Sequence, residues 1–308
     1  MEAHNQFYTE ADHLTTFAQI EAIDYHTTHT ISSIRVTPYP AGHVLGAAMF
    51  LIEIAGLKIF FTGDYSREDD RHLVSAEVPR GVKIDVLITE STYGIASHVP
   101  RVEREQALMK SVTSILNRGG RVLMPVFALG RAQELLLILD EYWGKHPEFQ
   151  KIPIYYASNL ARKCMLVYQT YVGSMNENIK RLFRERMAEA EANSTSGKDG
   201  HQVDKNGVII TGYSVEGFHT KISSRRSRES HDTKKGVVFK NFPSQLTLMV
   251  LRIENSSKEI AAPVVILVHG EQHNMMRLKS KLLSLNADKT TKVKVFSPKT
   301  AIHYVSPS

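Results

Sequence analysis

Three short glycine-bounded motifs place a metal-capable side chain beside an apolar, strand-like run or just beyond it. They are Ala41-Gly-His43-Val-Leu-Gly46, Phe61-Thr-Gly-Asp64-Tyr-Ser-Arg67 and Leu267-Val-His269-Gly-Glu-Gln272. Strand ends are rigid, and neighbouring glycines let the backbone approach a bound ion closely. Imidazoles and a carboxylate are the ligands of a hydrolytic zinc site, which keeps one position for water. Each motif alone also fits a structural histidine or a turn.

Other charged side chains stand at the ends of predicted elements. Glu90 directly follows an apolar run at 84–89, and Arg131 follows Gly130 at the start of a predicted helix. A helix N-terminus with a guanidinium beside it can bind a phosphate group, although the same pattern fits an ordinary helix start. The stretch 221–235 is rich in Lys and Arg, which fits either contact with an RNA backbone or a solvated arm.

The apolar pattern predicts the elements that position these residues. Strand-like runs at 49–54 and 57–62 are separated by Ala55-Gly56, which is typical of a two-residue hairpin. From residue 84 onward, short apolar runs alternate with helical patterns, which favours a parallel sheet covered by helices. The further predicted strands are 31–39, 121–126, 152–157, 208–211, 264–268 and 293–296, and the predicted helices are 103–118, 131–143, 159–172 and 271–285.

The remaining expectations concern burial and loops. Leu135, Leu136, Ile138 and Leu139 lie in a helix that is apolar on every side and should be buried. Glu134 and Glu141 are expected on a solvated edge of that helix. Residues 1–30 are weakly patterned, and 193–206 and 220–235 are expected to be loops.

Composition narrows the class of protein. The 308 residues are 42% hydrophobic and 23% charged, which is ample for a core, and the net charge of +6 permits a polyanionic partner. Cys164 is the single cysteine, so an internal disulfide and a multi-thiolate zinc site are excluded. With no apolar run of about 18 residues and no secretory pattern at the start, we expect a soluble intracellular protein.

Longer motifs carry a resemblance to a known family. The segments around His43 (Gly-His-Val-Leu-Gly-Ala-Ala-Met-Phe), Asp64 (Phe-Thr-Gly-Asp-Tyr-Ser-Arg-Glu-Asp-Asp-Arg-His-Leu) and Glu90 (Thr-Glu-Ser-Thr-Tyr-Gly) resemble metallo-β-lactamase nucleases with an inserted β-CASP domain. Residues 125–143, which begin Pro-Val-Phe-Ala-Leu-Gly-Arg-Ala-Gln-Glu, restrict the resemblance to one group within this family. Together with Val-His269-Gly-Glu-Gln, they are similar to the endonuclease subunit of the pre-mRNA cleavage and polyadenylation complex.

The resemblance implies a function and a set of site residues. It implies a nuclear, zinc-dependent endoribonuclease that cuts pre-mRNA before poly(A) addition, with two zinc ions that activate a water molecule. His43 would bind one zinc, Asp64 would bridge both, and His269 would bind the other. Glu90 falls on a motif that orients a catalytic histidine. The implied partners are pre-mRNA and other subunits of the complex, including a non-catalytic β-CASP companion.

The sequence also departs from the family pattern. The zinc signature His-x-His-x-Asp-His does not occur in these 308 residues, and His26 and His29 have a different spacing. No histidine lies between His231 and His269, where the family has its general acid. The glycine-rich part of the inserted domain is missing between Phe183 and Asn206. A non-catalytic scaffold or RNA-binding form of the same subunit is therefore the alternative, and a DNA-processing nuclease of the same superfamily is a third class.

The expected fold is α/β. We predict a partial metallo-β-lactamase αββα sandwich formed by residues 1–95 and 244–308. A β-CASP domain built on a helix-covered, mainly parallel sheet is inserted between them at 96–243.

Overall fold

The computed structural model describes residues 8–96, 99–127, 130–157, 159–194, 208–212, 237–238, 260–287 and 292–298. The α-helices within these ranges are α1 (Glu10–Phe17), α2 (Arg101–Asn117), α3 (Arg131–Lys145), α4 (Asn159–Thr170), α5 (Glu177–Ser194) and α6 (Gln272–Leu285). The strands are β1 (His29–Ile31), β2 (Ile34–Pro40), β3 (Ala48–Ile54), β4 (Leu57–Phe61), β5 (Val86–Thr92), β6 (Val122–Val126), β7 (Ile154–Ala157), β8 (Val208–Gly212), β9 (Val237–Val238), β10 (Val264–Gly270) and β11 (Lys294–Phe296).

The first sheet has the strand order β1-β2-β3-β4-β5-β10-β11. Strands β1 to β4 pair antiparallel, whereas β4, β5, β10 and β11 are parallel. The β3–β4 hairpin turns on Ala55 and Gly56, whose φ angles are 50° and 79°. A two-residue hairpin with positive φ at both positions matches the twist of its strands, and the predicted hairpin is confirmed.

One face of the first sheet packs against α6. The helix contributes Met275, Leu278 and Leu282, which are buried. They pack against every second residue of each strand, because successive side chains of a strand point to opposite faces of the sheet. Each of these side chains stabilises the fold by about 1.5–3 kcal/mol. The buried strand residues on this face are Met49, Leu51, Phe60, Leu87, Val265 and Leu267.

The opposite face of the same strands is apolar as well, and we call it the open face. A sheet with one face in water normally alternates apolar and polar residues. Strands with apolar side chains on both faces are typical of sheets that are covered on both sides. A sandwich of which this sheet is one layer has such strands. The half-buried residues of the open face are Phe50, Ile52, Ile59, Val86, Ile88, Val264 and Ile266, and Ile54, Leu57 and Phe61 are more than a third exposed.

The second sheet has the order β7-β8-β6-β9, and every neighbouring pair is parallel. The predicted helix-covered parallel sheet is confirmed, since α2 and α3 pack against β6. Ile138 and Leu139 are buried as expected, whereas Leu135 and Leu136 are partly buried at the edge of the same core. The other buried core residues include Leu108, Val112, Ile115, Val122, Met124 and Trp143.

A charged segment, residues 68–73, docks on the helices that cover the second sheet, and we call it the docking segment. The Arg71 guanidinium lies 2.5 Å from Glu105 of α2 and 3.0 Å from Glu141 of α3. Glu141 is exposed, as expected for a solvated edge of α3, and it also takes part in this ion pair. Its cation comes from a distant part of the chain, which the pattern of α3 alone does not reveal.

The docking segment is also fastened through its backbone. The side-chain amide of Asn176 donates to the Asp70 carbonyl (2.8 Å), and its backbone N–H donates to the His72 carbonyl (3.0 Å). The Asp70 and His72 side chains form a buried pair with Oδ1 2.7 Å from Nδ1. Burial alone would raise the pKa of Asp70, but the hydrogen bonds and charge of His72, with the Leu73 N–H, lower it to about 2.

Several element bounds differ from the sequence expectation. The weakly patterned residues 1–30 contain α1 and β1, and α1 begins with a reciprocal cap between Thr9 and Asp12. Helix α5 extends to Ser194, so the expected loop does not begin at Asn193. The rest of the loop 193–206 and the stretch 220–235 lie outside the described residues.

Strands β5 and β10 are longer than predicted. They pair in parallel through Val268 with Glu90 and Gly270 with Thr92, which extends both strands. Glu90 and His269 therefore lie within strands and not beyond their ends. No helix in the described part of the chain is long and apolar enough to span a membrane.

Candidate functional site

The three motif side chains meet at the edge of the first sheet where β4, β5 and β10 end. Oδ1 of Asp64 lies 3.4 Å from Nε2 of His269, and Oδ2 lies 4.0 Å from Nε2 of His43. The strands β4, β5 and β10 are parallel, so their carboxyl ends share this edge. The structure thus brings together the residues that the sequence singled out, while their roles as ligands stay a prediction.

Close packing of two loops fixes the spacing of His43 and Asp64. Gly42 has a φ of 66°, and a Cβ at this position would lie 2.3 Å from the Ser66 carbonyl oxygen. The Ser66 N–H donates to the Ala41 carbonyl at 2.7 Å. Only glycine permits so close an approach, so the two loops form one packed unit.

Glu90 supports the loop of Asp64 from inside the sheet. Its Oε1 accepts the Tyr65 backbone N–H at 3.0 Å, and its Oε2 accepts the Thr92 hydroxyl at 2.6 Å. Burial raises the pKa of Glu90 above its usual value, hydrogen bonds from Thr92 and Tyr65 oppose the rise, and the Asp64 charge adds to it. Sequence reasoning missed Tyr65, because a backbone N–H leaves no signal in the residue type. It also missed Thr92, which lies two residues after Glu90 and so on the same face of β5.

The electrostatic setting of His43 suits a neutral imidazole. Burial has the largest effect and lowers its pKa below the ordinary 6.5, the Asp64 charge opposes this, and Arg131 and His269 lower it further. At pH 7 the ring is therefore mostly neutral, which is the form that binds metal ions.

Arg131 stands beside this site at the first turn of α3. Gly130 has a φ of 85° and packs near Val44, in the loop of His43. Arg131 forms an ion pair with Glu134 of the same helix, and Glu134 Oε1 also lies 3.4 Å from Arg101. The expectation that Glu134 is solvated is wrong, since both of its partners enclose it. The phosphate-binding role of Arg131 stays a prediction.

The donor types fit zinc but their number does not. Two ligands on one tetrahedral zinc, each at about 2.1 Å, are about 3.4 Å apart, which matches the Asp64–His269 distance. Each of two ions would have two protein donors, with Asp64 shared, whereas catalytic zinc ordinarily has three and a water. In the ranges that the structure describes, no group of three or more His, Cys, Asp or Glu side chains is arranged to hold a metal ion.

The other candidate histidines have different surroundings. The His26 ring packs edge-on against Tyr39, with centroids 5.2 Å apart. Nε2 of His29 lies 2.9 Å from the Thr27 hydroxyl. His72 is buried in its pair with Asp70, so it is committed to the docking segment.

Comparison with known proteins bears on the same regions. A model of the metallo-beta-lactamase superfamily domain matches residues 1–93, and a model of the Beta-Casp domain matches residues 132–202. The chain is 64% identical to Endoribonuclease YSH1 of Gibberella zeae over 357 aligned residues, which cover 95% of this chain and 43% of the relative. It is 62% identical to Endoribonuclease ysh-1 of Neurospora crassa (95% and 42% covered) and 44% identical to Endoribonuclease ysh1 of Schizosaccharomyces pombe (98% and 44%).

The chain spans less than half the length of these relatives. The aligned length of 357 exceeds the 308 residues of the chain. The Gibberella zeae relative therefore has residues inside the matched region that this chain lacks.

Proposed function

Because the chain belongs to the metallo-β-lactamase superfamily whose nucleases carry a β-CASP domain, we propose that it acts in a zinc-dependent endoribonuclease. The proposed substrate is pre-mRNA, cut in the nucleus before polyadenylation. The proposed partners are other subunits of the cleavage and polyadenylation complex, including a non-catalytic β-CASP companion. The names of the relatives support the endoribonuclease activity, and the motifs around residues 125–143 support the RNA and the complex.

The observation that carries the proposal is the meeting of His43, Asp64 and His269 at one edge of a sheet. A carboxylate between two imidazoles is the arrangement that a bridging ligand requires. The lowered pKa of His43 keeps its lone pair available at neutral pH. The three residues come from distant parts of the sequence, so folding alone brings them together.

The neighbouring residues have supporting roles in this proposal. Glu90 positions the backbone after Asp64. We therefore propose that Glu90 orients the Asp64 carboxylate and does not itself bind metal. Arg131 supplies a cation next to His43, on the side where a phosphate group of RNA would bind. Glu134 holds that guanidinium in place through its ion pair.

A second candidate function has its own observation. The described residues give each zinc only two donors, and losing supporting contacts alone typically weakens metal binding about 10–100-fold. No histidine lies between His231 and His269, where the resemblance implies the general acid. This favours a non-catalytic scaffold or RNA-binding form of the same subunit.

One experiment separates the two candidates. We expect the purified 308-residue chain to retain well under one zinc per molecule after dialysis, measured by elemental analysis, and to show no EDTA-sensitive cleavage of RNA. Zinc is then added back in steps. The endoribonuclease predicts that cleavage appears with zinc and is lost in Asp64→Ala but not in the control Asp140→Ala, which changes an exposed residue of α3.

The other outcomes are equally informative. RNA that is bound but uncut at every zinc concentration favours the non-catalytic form. About two zinc ions retained after dialysis would mean that groups other than His43, Asp64 and His269 complete the site. Preference for single-stranded DNA over RNA in a competition assay would favour the DNA-processing class.

A further inference from the structure

Helix α6 has a strongly basic outer surface. Its inner side, with Met275, Leu278 and Leu282, packs on the first sheet. Its fourteen residues include no Asp or Glu. Its cations are Arg277, Lys279 and Lys281, and Arg277 has no carboxylate beside it within the helix.

A groove runs along this surface. It is shallow and wide open to solvent, and it is lined by Ile95, His273, Met276, Arg277, Ser280 and Lys281. No lining residue is a carboxylate, and Arg277 forms no ion pair with any residue that the structure describes. His273, Arg277 and Lys281 are four residues apart, so they follow one another at about 6 Å along the helix axis. This spacing is close to that of consecutive phosphates on an extended single strand.

The groove opens at the same edge of the sheet as the candidate site. His269 is the last residue but one of β10, Glu271 is at the N-cap position of α6, and His273 lies in the first turn of the helix. The loop after β5 packs directly on this turn, because a Cβ on Gly94 would lie 2.5 Å from the Asn274 carbonyl oxygen. The first turn of α6, with His273, is therefore next to the loops of the candidate site.

We propose that this groove binds the phosphodiester backbone of single-stranded RNA beside the candidate site. The inference rests on the proposed function, since RNA is the substrate assumed there. Arg277 and Lys281 bind consecutive phosphates and release their counterions. Met276 is 46% exposed and, with Ile95, offers an apolar surface to the sugars and bases, as in grooves that bind single strands without reading sequence.

Salt-dependent RNA binding tests the groove. The ligand is a fluorescent oligouridine of about 12 nucleotides, titrated with the full chain at several salt concentrations and followed by anisotropy. The test variant is Arg277→Ala with Lys281→Ala, and the matched control is Lys110→Ala with Lys145→Ala, two exposed helical lysines on α2 and α3. Alanine favours helices, and thermal unfolding checks that each variant is folded.

The expected result is specific to the groove. Losing two phosphate contacts should reduce the slope of log K against log salt by about 1.4 and weaken binding about tenfold at low salt, with the control unchanged. If the wild type binds RNA and the test variant keeps the same salt slope as the control, RNA binding by the groove is contradicted while the proposed function stands. If the wild type does not bind RNA at low salt, RNA binding by the groove and the proposed function are both contradicted. Displacement of RNA by equimolar ATP would assign the groove to free nucleotides and overturn the proposal.

Discussion

Replacing Arg71 with methionine tests how much the docking segment contributes to stability. Arg71 makes two hydrogen bonds to Glu105, at 2.5 and 2.8 Å, and two to Glu141, at 3.2 and 3.0 Å. Its side chain is 17% exposed, and those of Glu105 and Glu141 are 23% and 46% exposed. Methionine keeps much of the apolar stem and removes the charge.

The expected loss follows from these contacts. Hydrogen bonds to charged groups contribute about 1.5–3 kcal/mol each, and breaking a buried ion pair costs about 3–5 kcal/mol. Here Glu141 is half in water, and Glu105 keeps its hydrogen bond to Arg101 at 2.7 Å. We therefore expect Arg71→Met to lower the free energy of unfolding by about 2–4 kcal/mol.

Urea denaturation at neutral pH measures this loss, and Arg181→Met is the matched control. Arg181 pairs with Glu185 at 2.8 Å, but their side chains are 56% and 52% exposed, so we expect a change under about 0.5 kcal/mol. Equal losses in the two variants would refute the reasoning.

The pH dependence gives a second check. Burial tends to raise the pKa of Glu105, but its hydrogen bonds with Arg71 and Arg101 lower it overall. A lowered folded-state pKa adds stability above the unfolded value of about 4.3, and this stability is lost as the pH falls below it. The difference in the free energy of unfolding between the wild type and Arg71→Met should therefore become smaller as the pH falls below about 4.3.

Three further predictions concern buried groups. Asp70→Asn should destabilise the fold at pH 6, because the pKa of Asp70 is lowered to about 2 beside His72. The variant should also lose less stability than the wild type as the pH falls from about 4 towards 2. Thermal unfolding across that range measures both effects. Leu139→Ala should cost about 2–5 kcal/mol, and Leu136→Ala distinctly less, because Leu139 is fully buried and Leu136 only partly; comparable urea midpoints would contradict this. Glu90→Ala should cost about 1–3 kcal/mol, because it removes the oxygens that accept the Tyr65 N–H and the Thr92 hydroxyl, and an unchanged melting temperature would argue against the observed hydrogen bonds.

Local chemistry explains which elements the sequence predicts well. The hairpin at Ala55-Gly56 depends on two adjacent residues. Helix α2 depends on the spacing of Leu108, Val112 and Ile115 along one face. Both signals lie within a few residues, so no knowledge of the rest of the fold is needed.

The parts that were missed depend on distant contacts. Glu90 and His269 lie inside strands because β5 and β10 extend each other through pairing. The pairing of Arg71 with Glu105 and Glu141 leaves no local signal in the sequence, since both partners lie on helices far along the chain. The metal-capable trio was found because glycine-bounded motifs are local, but only the fold brings its members within 3.4 and 4.0 Å.

The position of β10 in the first sheet has a consequence for the order of folding. Val264 pairs with Val86, so this contact spans the whole second sheet in the chain, and such distant pairings form slowly. During synthesis β5 waits with an unpaired edge until β10 has left the ribosome, while β6 and its helices have time to fold. An edge of this kind can pair with another chain. Slow or crowded synthesis should therefore favour aggregates of the nascent protein, with β5 as the strand that joins them.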